Sequence, residues 1–168
     1  MQAAGLALLL AVTVALVYRE APGNEFHFDD YHNIVDYGPV RMEQPDGEAL
    51  LRALTQPKLD YRNIPSLTFA LDWWRGGGEA RAFLQTNVLL HTLTVLAVFL
   101  FAWQVLWHIR VRDSRIVPLA AFGVALLWAV HPINSQAVNL IVQRMAILAT
   151  LFVLLSLSCY LAARSADS

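Results

Sequence analysis

The sequence predicts an all-α membrane protein with four transmembrane helices and a long extracytoplasmic first loop that contains short amphipathic helices. Hydrophobic residues make up 57% of the 168-residue chain, charged residues make up only 15%, and the mean hydropathy is +0.48. This composition is too apolar for a water-soluble domain of this length. The apolar residues are also collected into runs long enough to cross a bilayer.

The net charge and the cysteine content limit the possible partners. The formal net charge is -1, so no surplus of Lys and Arg is present to neutralise a phosphate backbone, and a nucleic-acid partner is not expected. The single cysteine, Cys159, lies within an apolar run and cannot form an internal disulfide.

The first apolar run, from Ala3 to Tyr18, predicts a transmembrane helix over residues 1–18. A secretory signal peptide is the alternative interpretation. Such a signal normally carries Lys or Arg before its apolar core, and none precedes Ala3, so we expect a retained helix.

Residues 19–81 predict a hydrated loop, because they are polar and rich in the turn formers Gly and Pro. Within this loop, Asp46 predicts the N-cap of a short helix whose leucines lie on one face. A second segment, residues 64–74, predicts an interfacial helix whose terminal tryptophans lie at the level of the lipid headgroups.

An acidic motif follows soon after the first predicted helix, with Asp29 and Asp30 between His27 and His32. Adjacent carboxylates repel each other, and in a partly desolvated pocket one of them tends to hold a proton or to recruit a cation. The pair therefore suits a general base or a metal ligand. These four side chains are also a candidate site for Mg²⁺ or Mn²⁺, although hard cations prefer oxygen ligands. The alternative is an acidic loop that caps the following turn.

The apolar run from Ala82 to Ile109 predicts the second transmembrane helix. Asn87, His91 and Thr94 are spaced i, i+4 and i+7, which places them on one face of that helix. A polar face inside a membrane must look into protein or water. We expect Asn87 and His91 to line a cavity, with hydrogen bonds between helices as the alternative.

The orientation is predicted from a short basic loop that contains Arg110, Arg112 and Arg115, since positive charge in a short loop marks the cytoplasmic side. The apolar runs 116–130 and 133–163 then predict the third and fourth helices. Residues 82–168 thus hold three further transmembrane helices. Both termini are expected in the cytoplasm, and the long first loop is expected outside.

A second polar cluster lies at the outer end of the predicted fourth helix. Gln136, Asn139 and Gln143 share one helical face by their i, i+3 and i+7 spacing, and Arg144 lies about 100° further round. A charge inside a membrane is costly, so Arg144 requires an anionic partner or a water-filled cavity. It either pairs with Asp29, Asp30 or Asp36 or grips a phosphate through its planar guanidinium.

Four motifs in order carry a resemblance to a known family. They are Phe-x-Phe-Asp-Asp-Tyr-x-Asn-Ile at 26–34, Arg-Asn-Ile-Pro-Ser-Leu-Thr-Phe at 62–69, Asn-Val-Leu-Leu-His at 87–91, and His-Pro-Ile-Asn-Ser-Gln-Ala-Val at 131–138 with Gln-Arg at 143–144. The chain resembles, over nearly its whole length, the bacterial tetratricopeptide-repeat membrane proteins related to the transmembrane-and-TPR O-mannosyltransferases. That family lies within the GT-C glycosyltransferase fold.

The resemblance implies transfer of a sugar from a polyprenyl-phosphate donor to a protein or glycan acceptor, on the outer face of a bacterial inner membrane. Asp29 and Asp30 match the acidic pair of the family, of which one acts as the general base on the acceptor hydroxyl. His131, Gln143 and Arg144 match positions near the donor phosphate.

The chain departs from the family at Gln136, where relatives often have Glu; we expect Gln136 and Asn139 to line the cavity. GT-C proteins have more transmembrane helices, and this family adds a helical-repeat domain. The chain is therefore expected to be the N-terminal portion of a longer protein and to be inert as a fragment, with a partial GT-C-like fold.

Two other classes of function compete with the glycosyltransferase. A non-catalytic membrane scaffold or assembly module would keep the fold without the reaction. A small proton-coupled transporter would use Asp29, His91 and Arg144 as relay groups, but the paired inverted repeats that favour it are not found in the sequence.

Overall fold

The computed structural model describes residues 2–58, 62–109 and 116–166. Within these ranges the chain is helical and contains no β-strand, which confirms the all-α prediction. The helices are α1 (Gln2–Val17), α2 (Gly47–Thr55), α3 (Asn63–Gly76), α4 (Ala80–His108), α5 (Ile116–Ala129), α6 (Ile133–Asn139) and α7 (Arg144–Ala166).

Among the described residues, three helical segments are long and apolar enough to cross a membrane: Ala3–Gly23, Ala80–His108 and Ile141–Ser165. A fourth span is present if α5 and α6, which meet at a bend of 64°, act as one. The chain is thus an all-α membrane protein, as predicted. The basic cluster at 110–115 lies outside the described residues, so the orientation stays a prediction.

The single helix expected over 133–163 is broken in two. α6 ends at Asn139, because Leu140 has extended backbone with φ -95° and ψ 117°, and one 3-10 turn then leads into α7. The regular rotation of 100° per residue is interrupted at this point. The prediction that Gln136, Asn139 and Gln143 share one helical face is therefore wrong.

α4 lies at the centre of the bundle and packs against α1, α5 and α7. On α5, the buried alanines Ala121, Ala125 and Ala129 follow one another at i, i+4 and i+8, so that they form one stripe. Small residues let membrane helices approach closely. The bundle core is completed by large apolar side chains of α1 and α4, including Leu10 and Phe99.

The loop over 19–81 folds into a second core at one end of the bundle. α2 packs on α3, and α3 packs on α4. α2 begins as predicted at Asp46, whose side chain accepts a hydrogen bond from Ala49 N at 2.7 Å. α2 buries Ala49 and Ala53, whereas the predicted leucine face lies largely toward solvent, with Leu51 and Leu54 exposed and Leu50 half-buried.

The turn between α3 and α4 is tight enough to bring the two helices together. α3 covers the predicted helix over 64–74 and ends at Gly76, and the next residue, Gly77, caps it with a left-handed φ of 61°. A Cβ added to Gly76 would lie 2.3 Å from the Cβ of Ala82, so only glycine fits there. This close approach places the last turns of α3 beside the first turns of α4.

Candidate functional site

Arg144, the first residue of α7, has a completely buried side chain. Its Nη2 lies 2.6 Å from Oδ2 of Asp72 on α3, and Asp72 is itself only 5% exposed. A buried guanidinium without an anion is costly. Asp72 therefore supplies the counter-charge that the sequence requires at this position.

The other nitrogens of the Arg144 guanidinium also have protein partners. Nε donates to Asn87 Oδ1 at 2.8 Å, and Nη1 donates to Thr68 Oγ1 at 3.2 Å. Nη2 donates in addition to the Phe83 carbonyl at 2.8 Å. The guanidinium carbon lies 4.7 Å from the centroid of the Phe69 ring, where it interacts with the face of the ring. These contacts join α3, α4 and α7 at one point.

Asp72 is held in place by two further groups. Thr86 Oγ1 donates to Asp72 Oδ1 at 2.7 Å, and Arg75 Nη2 lies 3.1 Å from the same oxygen. The Arg75 side chain is 50% exposed. The polar network therefore extends from the buried Arg144 to the surface.

The expectation that Arg144 grips the donor phosphate does not fit this geometry, because the side chain has no exposed surface. Every nitrogen of the guanidinium already has a partner in the protein. The alternative, an ion pair with an acid of the first loop, is what the structure shows. The partner is Asp72 and not Asp29, Asp30 or Asp36.

Asp30 is completely buried and holds the break between α6 and α7. Its Oδ1 accepts a hydrogen bond from Val142 N at 2.7 Å, and its Oδ2 accepts one from His27 N at 3.1 Å. Burial raises the pKa of Asp30 above its ordinary value of 3.8, while these backbone hydrogen bonds oppose the shift. Asp30 therefore ties the first loop to the segment that precedes Arg144.

Asp29 has the opposite environment, because its side chain is exposed. Its carbonyl accepts a hydrogen bond from Asn33 Nδ2 at 2.7 Å, which closes the turn. The preceding residue, Phe28, has a φ of 45°, a left-handed conformation that side-chain-bearing residues rarely adopt. This strained turn separates the two neighbouring carboxylates, with Asp30 in the core and Asp29 in solvent.

Asn87 and His91 form contacts between helices. Asn87 Nδ2 donates to the Val138 carbonyl at 3.2 Å. His91 Nε2 lies 3.4 Å from the Ala129 carbonyl, and its ring packs edge-on against Tyr18 with 5.2 Å between the centroids. Both side chains are buried, so they do not line an open cavity. The alternative prediction, hydrogen bonding between helices, describes them correctly.

His131 and Asn139 lie in the wall of a cavity of about 360 Å³ between the end of α1 and α6. His131 is exposed, and its Nδ1 accepts a hydrogen bond from Ile133 N at 3.2 Å. Asn139 Oδ1 accepts one from Asn24 Nδ2 at 3.0 Å. Other polar residues of this wall are Tyr18, Glu20 and Ser135.

The two glutamines expected beside these residues have different surroundings. Gln136 is exposed on α6, and Gln143 is half-buried in the turn before α7. The break after Asn139 separates them, so the polar cluster predicted from a continuous helix is divided.

Within residues 2–58, 62–109 and 116–166, no group of three or more His, Cys, Asp or Glu side chains could hold a metal ion. The four candidate ligands of the acidic motif do not converge. Asp30 points into the core, whereas His27, Asp29 and His32 are exposed. The structure therefore offers no support for the candidate Mg²⁺ or Mn²⁺ site.

The sequence patterns do not single out Asp72, although it is the partner of Arg144. It lies between Leu71 and Trp73, in a segment predicted from its apolar and aromatic residues. A signal was nevertheless present. Asp72 is the one carboxylate of α3, and a membrane arginine elsewhere in the chain requires an anion or a water-filled cavity.

No family model matches the chain, and no solved structure matches it. Human protein O-mannosyl-transferase TMTC4 is 32% identical over 168 residues, an alignment that covers 92% of this chain and 22% of the relative. Human protein O-mannosyl-transferase TMTC1 is 33% identical over 165 residues, an alignment that covers 94% of this chain and 18% of the relative. The Caenorhabditis elegans protein O-mannosyl-transferase F38B6.6 is 27% identical over 158 residues, an alignment that covers 89% of this chain and 22% of the relative.

The chain is related to the TMTC protein O-mannosyl-transferases. The relation predicted from the four motifs is thereby confirmed, while a bacterial origin stays a prediction. The chain spans about a fifth of the length of these TMTC relatives.

Proposed function

We propose that this chain is the part of a membrane glycosyltransferase that carries the catalytic base. The full-length protein would transfer a sugar from a polyprenyl-phosphate donor to a hydroxyl of a protein or glycan acceptor, on the extracytoplasmic face of the membrane. Two findings support the proposal: the relation to proteins named protein O-mannosyl-transferases over most of the chain, and the set of membrane-length helices.

The observation that carries the proposal is the opposite placement of Asp29 and Asp30. A general base must be ionised and must come within hydrogen-bond distance of the acceptor hydroxyl. Asp29 is exposed, whereas Asp30 is buried and bonded to the backbone of Val142 and His27. We therefore assign the base to Asp29 and a positioning role to Asp30.

In the proposed reaction, Asp29 accepts the proton of the acceptor hydroxyl while the hydroxyl oxygen bonds to the anomeric carbon of the sugar. The bond between that carbon and the phosphate oxygen breaks, and the polyprenyl phosphate leaves with the electron pair. The developing negative charge on the phosphate requires nearby cations. The buried Arg144 is already paired to Asp72, so this cation has to come from elsewhere.

A non-catalytic scaffold is the second candidate. It is favoured by the structural use of Asp30 and Arg144, two residues that the resemblance places in the reaction. Under this alternative the acidic pair serves only to anchor the first loop to the start of α7.

The decisive experiment replaces Asp29 with Asn in the full-length protein and measures sugar transfer from a polyprenyl-phosphate sugar in membranes. Loss of the base is expected to lower turnover by roughly 10²-fold or more, with insertion and folding unchanged. Glu25→Gln is the matched control, because Glu25 is an exposed acid in the same loop, and it should retain turnover.

Normal turnover in Asp29→Asn would refute the assignment of the base. If the folded wild-type protein transfers no sugar from any polyprenyl-phosphate donor, the scaffold alternative stands instead.

A further inference from the structure

A groove of about 500 Å³ lies between the start of α3 and the first turns of α7. α7 belongs to the membrane-length segment Ile141–Ser165, so the groove follows a helix from its polar end toward the bilayer interior. An extended hydrocarbon chain fits such a surface. The apolar residues of the wall are Ile64, Pro65, Met145, Leu148, Ala149 and Phe152.

The polar end of this groove carries positive charge. Arg62 lines both the groove and an adjoining small cleft, and Lys58 lines the cleft. No acidic residue is among the described residues that line either one. Arg62 Nη1 donates to Met145 Sδ at 2.9 Å, and a thioether is a weak acceptor. Both cations are exposed, and the guanidinium is available for an anion of higher affinity.

The size of the adjoining cleft limits where a phosphate can lie. The cleft volume of about 20 Å³ accommodates one oxygen atom but no phosphate. A phosphate would therefore lie at the shared rim, beside Arg62.

This rim is close to the turn that presents Asp29. Asn33 lines the same cleft, and its side chain donates to the Asp29 carbonyl at 2.7 Å. Val142, whose N–H is bonded to Asp30, also lines it. Each member of the acidic pair is thus hydrogen-bonded to a residue that lines the cleft, Asp29 to Asn33 and Asp30 to Val142.

We propose that the groove between α3 and α7 holds the isoprenoid chain of a polyprenyl-phosphate donor, and that Arg62 and Lys58 bind its phosphate. The proposal rests on the proposed function and supplies the cation that Arg144 does not provide. A planar guanidinium binds two phosphate oxygens at once, whereas an ammonium acts as a point charge. Arg62 is therefore expected to contribute more than Lys58.

The test measures binding of a diazirine-labelled polyprenyl monophosphate to the full-length protein in phosphatidylcholine nanodiscs. Arg62→Ala is expected to lower the affinity by about tenfold or more, and Arg62→Lys is expected to recover only part of it. Arg52→Ala is the control, because Arg52 is an exposed arginine of α2 outside the groove, and it should bind as wild type.

The apolar wall is tested on α7. Ala149→Trp fills the groove and should abolish labelling, whereas Ala146→Trp adds the same bulk on the same helix outside the groove and should not. Both alanines are exposed, so neither change disturbs the core. Polyprenol without phosphate should compete poorly with the labelled polyprenyl monophosphate. Phosphatidylglycerol, a bilayer lipid that shares the phosphate but not the isoprenoid chain, should also compete poorly.

Three results would overturn the proposal. The first is unchanged binding in both Arg62→Ala and Ala149→Trp, and the second is equal competition by phosphatidylglycerol. The third is loss of binding in His131→Ala but not in Arg62→Ala, which would place the phosphate in the cavity lined by His131 and Asn139. Binding and transfer are measured separately. Loss of binding in Arg62→Ala together with absence of transfer by the wild type would refute the proposed function and leave the lipid site standing.

Discussion

Removal of the Asp72 carboxylate is expected to destabilise the protein severely. In Asp72→Ala, Arg144 stays completely buried and keeps only neutral acceptors, which are Asn87 Oδ1, Thr68 Oγ1 and the Phe83 carbonyl. Breaking a buried ion pair by removing one partner costs about 3–5 kcal/mol, because the other charge is left without compensation. We expect the free energy of unfolding to fall by that amount.

Replacement of the other partner, Arg144, should lower the free energy of unfolding by less. In Arg144→Met, Asp72 retains Arg75 at 3.1 Å and the Thr86 hydroxyl at 2.7 Å, so its charge remains paired. Methionine also fills much of the vacated volume with apolar atoms. The expected loss is about 1–3 kcal/mol, mainly from the hydrogen bonds that are removed.

The assay is the free energy of unfolding in detergent micelles, followed by tryptophan fluorescence, for both single variants and the double variant. The double variant should be less destabilised than the sum of the singles by at least about 1.5 kcal/mol, because it leaves no buried charge unpaired. Arg75→Ala is the control and should cost less than about 1 kcal/mol, since Arg75 is half exposed. A loss below about 0.5 kcal/mol in Asp72→Ala, or strict additivity, would refute the reasoning.

Two further predictions concern the acidic motif and the orientation. The pKa of Asp30 is raised above 3.8, so the folded state holds the Asp30 proton more tightly than the unfolded state. The free energy of unfolding should therefore fall as pH rises from about 3.8 through the raised pKa. Asp30→Asn should remove that slope, and an unaltered slope would contradict it. In a Cys159→Ser background, Glu43→Cys should be labelled by an impermeant maleimide in intact cells and Ser114→Cys should not. Labelling of the Ser114 site alone would reverse the predicted topology.

The apolar runs predict most of the helices, because burying an apolar segment in a bilayer depends on length and composition alone. The second helix was expected over 82–109 and is found at Ala80–His108. Asp46 likewise predicts the start of α2, since an N-cap acts within its own turn. These features are local, and neighbouring residues suffice to specify them.

The break before α7 is not local. Neither Gly nor Pro lies between Ile133 and Arg144 to mark a break in the helix. The break is instead held by Asp30, whose carboxylate accepts the Val142 N–H from a distant part of the chain. A pattern search along the helix cannot reveal a partner from the first loop.

The sequence by itself determined that Arg144 needs either an anion or a water-filled cavity, since the cost of a charge in an apolar helix is a property of the residue and its neighbours. The sequence also placed Asp29 and Asp30 side by side, and it left a general base, a metal ligand and a turn-capping loop all open for them. Only the tertiary structure decided that Asp72 pairs with Arg144 and that Asp30, not Asp29, is buried. The tight turn at Gly76 docks α3 on α4 and carries Asp72 to Arg144, while the turn at Phe28 buries Asp30 and leaves Asp29 in solvent.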